Sequence, residues 1–386
     1  MGENMYFRLN PECYLIRGEK LGAIYDLIDM KMYSLNQQET EIITSCEKNK
    51  PAIGDETFLY TLKQLCLGNF YNSIVYINKL RITSTLEPTD PLANIPPQIH
   101  RAFLEINNSC NRDCWFCGYY GIKRSLGCMG CNKWKGDGTE LSIKRWKELI
   151  DELKYLDCKN LFITGGDLTL VWDKTIDILN YAKEMFGNIY VILHQKSMLP
   201  DKINDLGDKI KVIIQTEDLR NLYFKDSICL LVVKPTDWEN AIKIKNKNTM
   251  NDFVVNNDNR IPVDHIIVSR KKISPVNTYD FLNNVEYHPC LGNTLAICNN
   301  GNVTPCTMMR NHIFGNVRAK TLGTVLESGW EEIIKFWKLN LDKIEKCTSC
   351  EFRYSCTDCR ALEERLTGKL DGKILCSYNP KEGAWS

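Results

Sequence analysis

The chain has 386 residues, 44% hydrophobic and 25% charged, the balance of an ordinary soluble globular protein with room for two or three domains. Forty-nine Lys and Arg against 48 Asp and Glu leave a formal net charge of +1, which offers no electrostatic case for nucleic acid or an anionic membrane surface. No apolar run approaches the ~18 residues of a membrane span, and MGENMYFRLN has neither the basic nor the apolar part of a signal peptide, so a soluble, cytoplasmic protein is expected.

Residues 1–83 read as a first unit. Cys13-Tyr-Leu-Ile-Arg, a turn over 18–22 and Ala23-Ile-Tyr-Asp-Leu-Ile predict a strand, a turn and a second strand. Met32-Tyr-Ser-Leu follows as a third. Asn36 and Glu39 form a capping box that opens a helix. Two more helical stretches are expected, about 55–67 and 70–80, with Gly68 as the C′ residue between them. Three small strands and three helices suit a winged-helix-like module. Pro88, Pro91, Pro96 and Pro97 then mark 84–100 as a linker.

From 101 to 287 strands alternate with helices. Strands are expected at Phe103-Leu-Glu-Ile, Asn160-Leu-Phe-Ile-Thr, 189–193, 210–215, 228–233 and His265-Ile-Ile-Val. Helices are expected from Ser142, near 173–186, from about 200 and near 237–246. Repeated β-α units imply a parallel sheet of about six strands, open or rolled into a partial barrel, with ligands at its carboxyl ends. After residue 288 the alternation stops. One helix is predicted from Ser328, with Glu331 completing its capping box and Trp330, Ile333, Ile334 and Trp337 on one face.

Eighteen cysteines are the anomaly of the composition. In a reducing compartment clustered thiolates bind zinc or iron–sulfur clusters rather than form disulfides. The five histidines are scattered, which argues against Cys/His zinc fingers. Cys110-x3-Cys114-x2-Cys117 follows directly on the first strand of the β/α domain. Three thiolates hold a four-iron cluster with one iron open; alternatively they form a structural zinc site completed by Cys128 or Cys131. Cys128 and Cys131 also read as packing residues or as thiols reaching the active site.

The Cys110–Cys117 spacing at the end of strand one resembles the radical S-adenosylmethionine (SAM) superfamily, which implies a partial (β/α)6 TIM-like barrel. In that family the open iron chelates SAM, and reduction yields a 5′-deoxyadenosyl radical. The resemblance makes Phe116 the adenine contact. Thr164-Gly165-Gly166-Asp167 lies where these enzymes carry a Gly-Gly-Glu-like motif, so Gly165, Gly166 and Asp167 would face SAM's methionyl end. Asp replaces the commoner Glu, and the alternative is an ordinary β-α turn. Gln195 and Gln215, ending the third and fourth strands, are candidate ribose contacts.

The later cysteines run Cys290, ten residues, Gly301, four residues, Cys306, then Cys347-x2-Cys350-x5-Cys356-x2-Cys359 and Cys376. This resembles the SPASM extension of radical SAM enzymes, with two residues rather than three between Cys356 and Cys359. The resemblance implies a C-terminal iron–sulfur domain over 288–386 with two auxiliary four-iron clusters, three clusters in all. One would take Cys290, Cys306 and Cys359, with Cys298 placed to complete it; the other would take Cys347, Cys350, Cys356 and Cys376. Zinc held by the two C-x2-C pairs is the alternative.

The first unit resembles the RiPP recognition element, a module that captures the leader of a ribosomally made precursor peptide by adding it as a strand to a sheet edge. Together the resemblances imply a radical SAM/SPASM peptide maturase. It would crosslink its peptide within one chain, with a thioether favoured over carbon–carbon or carbon–oxygen bonds. Ferredoxin or flavodoxin would serve as electron donor. Anaerobic sulfatase-type oxidation of a Cys or Ser and a zinc-stapled peptide-binding protein are the other readings. No residue is legible as a catalytic base; Glu217 and Asp218 are acids near the expected site.

Overall fold

The computed structural model describes residues 5–52, 56–81, 98–114, 117, 123–124, 130–134, 138–197, 203, 206–218, 227–233, 240, 243, 249–255, 273, 276–356 and 358–385. Among these residues, no helix is long and apolar enough to cross a membrane.

The N-terminal unit is built on an antiparallel sheet, β2 (Cys13–Arg17), β3 (Gly22–Asp26) and β4 (Lys31–Leu35), in that spatial order. A separate ribbon pairs β1 (Tyr6–Leu9) with β5 (Gly68–Tyr71). Helix α1 (Gln37–Glu47) starts at the Asn36/Glu39 capping box, as the sequence predicts. With α2 (Glu56–Gln64) it closes a core of Phe7, Leu9, Ile24, Leu35, Ile43, Leu59 and Leu62. Cys13 and Cys46 pack in that core as small apolar groups, and burial pushes their thiols up to about 12 and about 11.

The helix expected over 70–80 is not formed. Gly68 does not end a helix but opens β5: a Cβ there would lie 2.5 Å from the Arg8 carbonyl oxygen and 2.6 Å from the Phe7 ring. Cys66, at φ +58°, is the left-handed residue after α2. Beyond β5 the chain is strapped back across β1 and β2. Lys79 Nζ donates to the carbonyls of Leu9, Asn10 and Cys13 (3.3, 3.1 and 2.8 Å), and the Leu80 N–H to Pro11 O (3.0 Å). Tertiary hydrogen bonds have replaced the helical ones, so the three-helix layout is not present in the described residues.

The central sheet runs β6 (Arg101–Asn107), β8 (Asn160–Gly165), β9 (Asn188–His194), β10 (Ile210–Thr216), β11 (Ile228–Val233) and β12 (Thr249–Val255), all parallel and in chain order. That is the topology of a partial (β/α)6 barrel. The sixth strand is Thr249–Val255; the expected strand at His265 lies outside the described residues, as do most of the helices near 200 and 237–246. The short β7 (Lys123–Arg124) caps the far edge, antiparallel to β12.

Side chains alternate across this sheet. One face of β6 and β8 presents Ala102, Leu104, Leu161 and Ile163 to helices α3 (Ile143–Tyr155) and α4 (Trp172–Ala182). Ser142 caps α3, whose Trp146, Leu149, Ile150 and Leu153 are buried as its periodicity predicts. The opposite face carries Phe103, Phe162, Ile192, Ile213 and Leu230, with Phe162 stacked on both Phe103 and Tyr190 at 4.7 and 4.5 Å.

The C-terminal region is joined to this sheet. Strand β13 (Thr294–Ile297) pairs parallel with β6, and the antiparallel strands β14 (Asn302–Thr304) and β15 (Gly315–Asn316) extend it. The helix expected from Ser328 is longer, Leu322–Trp337, and is capped by Thr321. Ser328 lies inside it, its hydroxyl donating to Thr324 O (2.8 Å). Two glycines hide this first half in the sequence, yet Leu322, Val325 and Leu326 bury there.

Candidate active site and thiol centres

Cys110 and Cys114 lie on the loop that leaves the carboxyl end of β6. The Cys117 N–H closes a turn onto Cys114 O (3.0 Å). Lys133 staples the loop: its backbone N–H meets Cys117 Sγ at 3.2 Å, and its Nζ donates to Cys110 O at 3.1 Å. The three thiols stand within electrostatic reach of one another. Burial pushes the Cys114 thiol up to about 11, with Cys110 and Cys117 adding to the rise. Three thiols on one loop at the carboxyl end of a parallel sheet, each to take a different iron, suit a cluster that leaves one iron for a ligand. Phe116 and Cys128 lie outside the described residues.

Gly165 and Gly166 end β8 directly against this loop. Gly165 has φ +141°, and a Cβ on it would sit 2.3 Å from Asn107 O. A Cβ on Gly166 would sit 2.3 Å from Ser109 O. Asn107, fully buried at the end of β6, locks the turn: its Oδ1 accepts from the Gly166 N–H and its Nδ2 donates to Asp167 O, both at 3.0 Å. The turn is thereby held against Asn107 and Ser109, which lead directly into Cys110.

Asp167 is engaged within the chain. Its Oδ1 accepts from the Thr169 N–H and hydroxyl (3.1 and 2.7 Å), and its Oδ2 from Ser197 (2.6 Å), with Arg112 Nε at 3.4 Å. Burial works to raise the carboxyl, but these bonds and the guanidinium outweigh it and hold it below the ordinary range. Asp167 therefore caps the turn and draws in Arg112.

His194, ending β9, puts Nε2 3.6 Å from Cys114 Sγ, while its Nδ1 accepts the Lys196 N–H (3.1 Å). Burial, then Arg112 and Lys196, lower its pKa to about 4, which leaves a neutral ring with its proton on Nε2. Gln215 is fully buried; its Nε2 donates to Cys131 Sγ (3.3 Å), and its Oε1 has no hydrogen-bond partner among the described residues. Gln195 accepts from Thr216, and Glu217 pairs with Lys196 at 3.2 Å. Asn107, Arg112, His194 and Ser197 were not singled out from the sequence. For Asn107 and His194 the signal was present, since each is the last residue of a parallel strand, where ligands bind.

The C-terminal thiols fall into two groups. Cys347, Cys350, Cys356 and Cys376 line one cavity together with Lys373, Phe352 and Tyr378. Burial pushes Cys347 up to about 12 and raises Cys350 and Cys356 further. Cys290, Cys306 and Cys359 form the second group: burial raises Cys306 far above the ordinary range, and Cys290 and Cys359 add to it. Cys298 is buried in the β13–β14 hairpin that leads to Cys306. Among the described residues, no three His, Cys, Asp or Glu side chains converge closely enough to share one metal ion. Four thiols spread around a cavity suit a cluster, in which each thiolate takes a different iron.

Residues 104–256 match the family model described as the Radical SAM superfamily, and residues 289–351 match SPASM, an iron-sulfur cluster-binding domain. The first match contains Cys110, Cys114 and Cys117; the second ends before Cys356, Cys359 and Cys376. Three solved structures of SuiB from Streptococcus suis are similar along 96% of this chain and 100% of theirs, each at 13% identity. Their TM-scores are 0.43 for SuiB bound to the precursor peptide SuiA, 0.46 for SuiB alone and 0.48 for SuiB bound to S-adenosylmethionine. At these values the likeness adds nothing to what the family models say. No curated protein matches the chain.

Proposed function

We propose that this chain, with a radical SAM domain over 104–256 followed by a SPASM domain over 289–351, is an enzyme that closes a crosslink, in the first instance a thioether, within a ribosomally made precursor peptide. The observation that carries the enzyme reading is the meeting of Cys110, Cys114 and Cys117 with the Gly165–Gly166 turn at the carboxyl end of the sheet. SAM and a reduced cluster, when bound there, supply the 5′-deoxyadenosyl radical that abstracts a hydrogen atom from the peptide.

The chain's own residues position and exclude. Asn107 fixes the turn that faces SAM, Phe116 is the adenine contact, and the Phe103–Phe162–Tyr190 stack closes the sheet interior to water beneath. Cys347, Cys350, Cys356 and Cys376 hold one auxiliary cluster; Cys290, Cys306 and Cys359, with Cys298, hold the other. The peptide reading is supported by β4, an edge strand to which a leader adds by backbone hydrogen bonds. A ferredoxin or flavodoxin provides electrons, and clustered thiolates suit a reducing compartment such as the cytoplasm.

The test is iron, sulfide and zinc per chain after anaerobic reconstitution, in the wild type and a Cys110→Ala/Cys114→Ala/Cys117→Ala variant. About 12 irons falling to about 8 are expected for three four-iron clusters. Incubation with a short Cys-containing precursor peptide should then remove the mass of two hydrogens from the peptide, with release of 5′-deoxyadenosine. Zinc in place of iron, with no iron lost in the variant, overturns the reading.

A further inference from the structure

A chain of buried polar side chains connects the two C-terminal thiol groups, and nothing in the proposed chemistry accounts for it. At one end, His288 Nδ1 accepts the backbone N–H groups of Cys290 and Leu291, both at 3.0 Å. Its Nε2 therefore carries the proton and meets Asp358 Oδ2 at 3.2 Å. The other oxygen, Asp358 Oδ1, accepts from Lys373 Nζ at 2.6 Å. Lys373 in turn lines the cavity of Cys347, Cys350, Cys356 and Cys376. The side chains of His288, Asp358 and Lys373 are 0, 1 and 4% exposed.

A buried ammonium is costly unless it has work that offsets its desolvation. Of the other cations on the cavity wall, Lys346 is exposed and Arg353 pairs with Asp342 at 2.7 Å. The Asp358 carboxylate is joined through His288 to the Cys290 end of one thiol group, while the ammonium it holds lines the cavity of the other. Arg360 and Glu363 extend the pair to a network of four charges: Arg360 Nε pairs with Asp358 Oδ2, and Glu363 Oε1 stands 3.4 Å from Lys373 Nζ. Arg360 Nη1 is anchored on Leu370 O and Gly372 O (3.1 and 2.8 Å), and Glu363 accepts the N–H groups of Ile374 and Leu375 (2.6 and 3.1 Å).

We propose that the Lys373–Asp358 pair is a fixed buried dipole that separates the two auxiliary centres in potential, making the centre at Cys347, Cys350, Cys356 and Cys376 the more easily reduced. The inference rests on the radical SAM/SPASM reading. Adding one electron to a thiolate-ligated centre adds one negative charge, which a nearby ammonium favours and a nearby carboxylate opposes. The geometry has that asymmetry: the Lys373 ammonium lines the cavity of Cys347, Cys350, Cys356 and Cys376, whereas the carboxylate it holds is joined through His288 to the Cys290 N–H. An electron arriving at the Cys290/Cys306/Cys359 centre would then pass downhill to the other.

The test is an EPR-monitored redox titration of the reconstituted full chain. A Cys110→Ala/Cys114→Ala/Cys117→Ala background leaves the two auxiliary signals, and Cys290→Ala or Cys347→Ala assigns them. Lys373→Met should move the Cys347 centre to lower potential by at least a tenfold change in its reduction equilibrium, 59 mV for one electron. The Cys290 centre should move much less, and Lys373→Arg should restore the wild-type order. Equal movement of both centres, or none, overturns the proposal. Iron loss from both Lys373→Met and Lys373→Gln, with retention in Lys373→Arg, also overturns it, because the charge then serves assembly rather than potential. A wild type that binds no iron sinks the enzyme reading itself; a wild type with all three clusters and an indifferent Lys373→Met sinks only this inference.

Discussion

The two thiol regions are built by opposite means. Cys110, Cys114 and Cys117 sit within eight consecutive residues on one loop, set by the end of a strand and stapled by Lys133. Cys290 to Cys376 are scattered over a long stretch and meet only because a hairpin, several turns and a buried ion-pair network bring them together. The first site borrows its rigidity from the barrel and stands at its open end. The second takes its cysteines largely from turns, so on the proposed reading bound metal would be part of what holds them together.

The largest expected effect breaks or keeps that contrast outright. Replacing Cys347 and Cys350 by Ala should lower the unfolding free energy by several kcal/mol, because metal binding in such a region is folding free energy. The Cys110→Ala/Cys114→Ala/Cys117→Ala variant should stay within about 1 kcal/mol of wild type, as its loop lies on an independently packed sheet. Anaerobic urea unfolding measures both. Equal losses would mean the two regions depend on metal alike.

Gly166 sharpens the contrast from the barrel side. In Gly166→Ala the new methyl meets Ser109 O at 2.3 Å and Asn107 Oδ1 at 2.9 Å, so the loop to Cys110 must shift. SAM affinity should fall about thirtyfold, roughly 2 kcal/mol, with the auxiliary irons unchanged. Gly138→Ala, where a Cβ meets nothing within 4 Å, should change neither. Equilibrium dialysis with SAM, beside an iron count, separates a local distortion from a lost cluster.

The metal-free chain offers a pH-dependent comparison. Thiolate is the species that alkylates, and burial pushes Cys114 up to about 11 but Cys347 up to about 12. A raised thiol pKa leaves less thiolate at any lower pH, so both rates should climb with pH until each value is passed. Between pH 8 and 10, under conditions where circular dichroism shows the metal-free chain still folded, Cys114 should react with iodoacetamide about tenfold faster than Cys347. Peptide mapping after timed quenching reads the ratio, and parity would mean the C-terminal group is no better buried than the triplet.

The same difference explains what was legible in the sequence. The triplet, the Gly-Gly turn, the capping boxes of α1 and the Ser142 cap are local patterns, and each is where the sequence places it. The strand-end positions of Asn107 and His194 were a usable signal, but what each one bonds to depends on which strands are neighbours, and one sequence does not print that. The helix expected over 70–80 failed because Lys79 and Leu80 bond to residues of β1 and β2 and the loop between them, far back in the chain. The Lys373–Asp358–His288 chain spans 85 residues of sequence and has no periodicity to betray it.

The smallest effect tests whether the C-terminal region also leans on the N-terminal sheet. The β2–β3 hairpin is seated on the segment carrying Cys350 and Cys356: the Glu19 N–H donates to Ser349 O (2.8 Å), and Arg353 donates to Arg17 O (2.9 Å). Tyr25, 1% exposed, reaches across to Glu351 O (2.9 Å) and Ser355 Oγ (3.2 Å). Its ring packs on Phe281, which packs on Tyr354, so Tyr25→Phe removes only the hydroxyl. The acceptors it abandons are buried, and the cost should be about 1 kcal/mol. Hydrogen exchange should show that loss as faster opening of both the hairpin and the 349–356 segment, with β6 and β8 unmoved. Faster exchange in the hairpin alone would mean the sheet rests on the C-terminal region without bracing it.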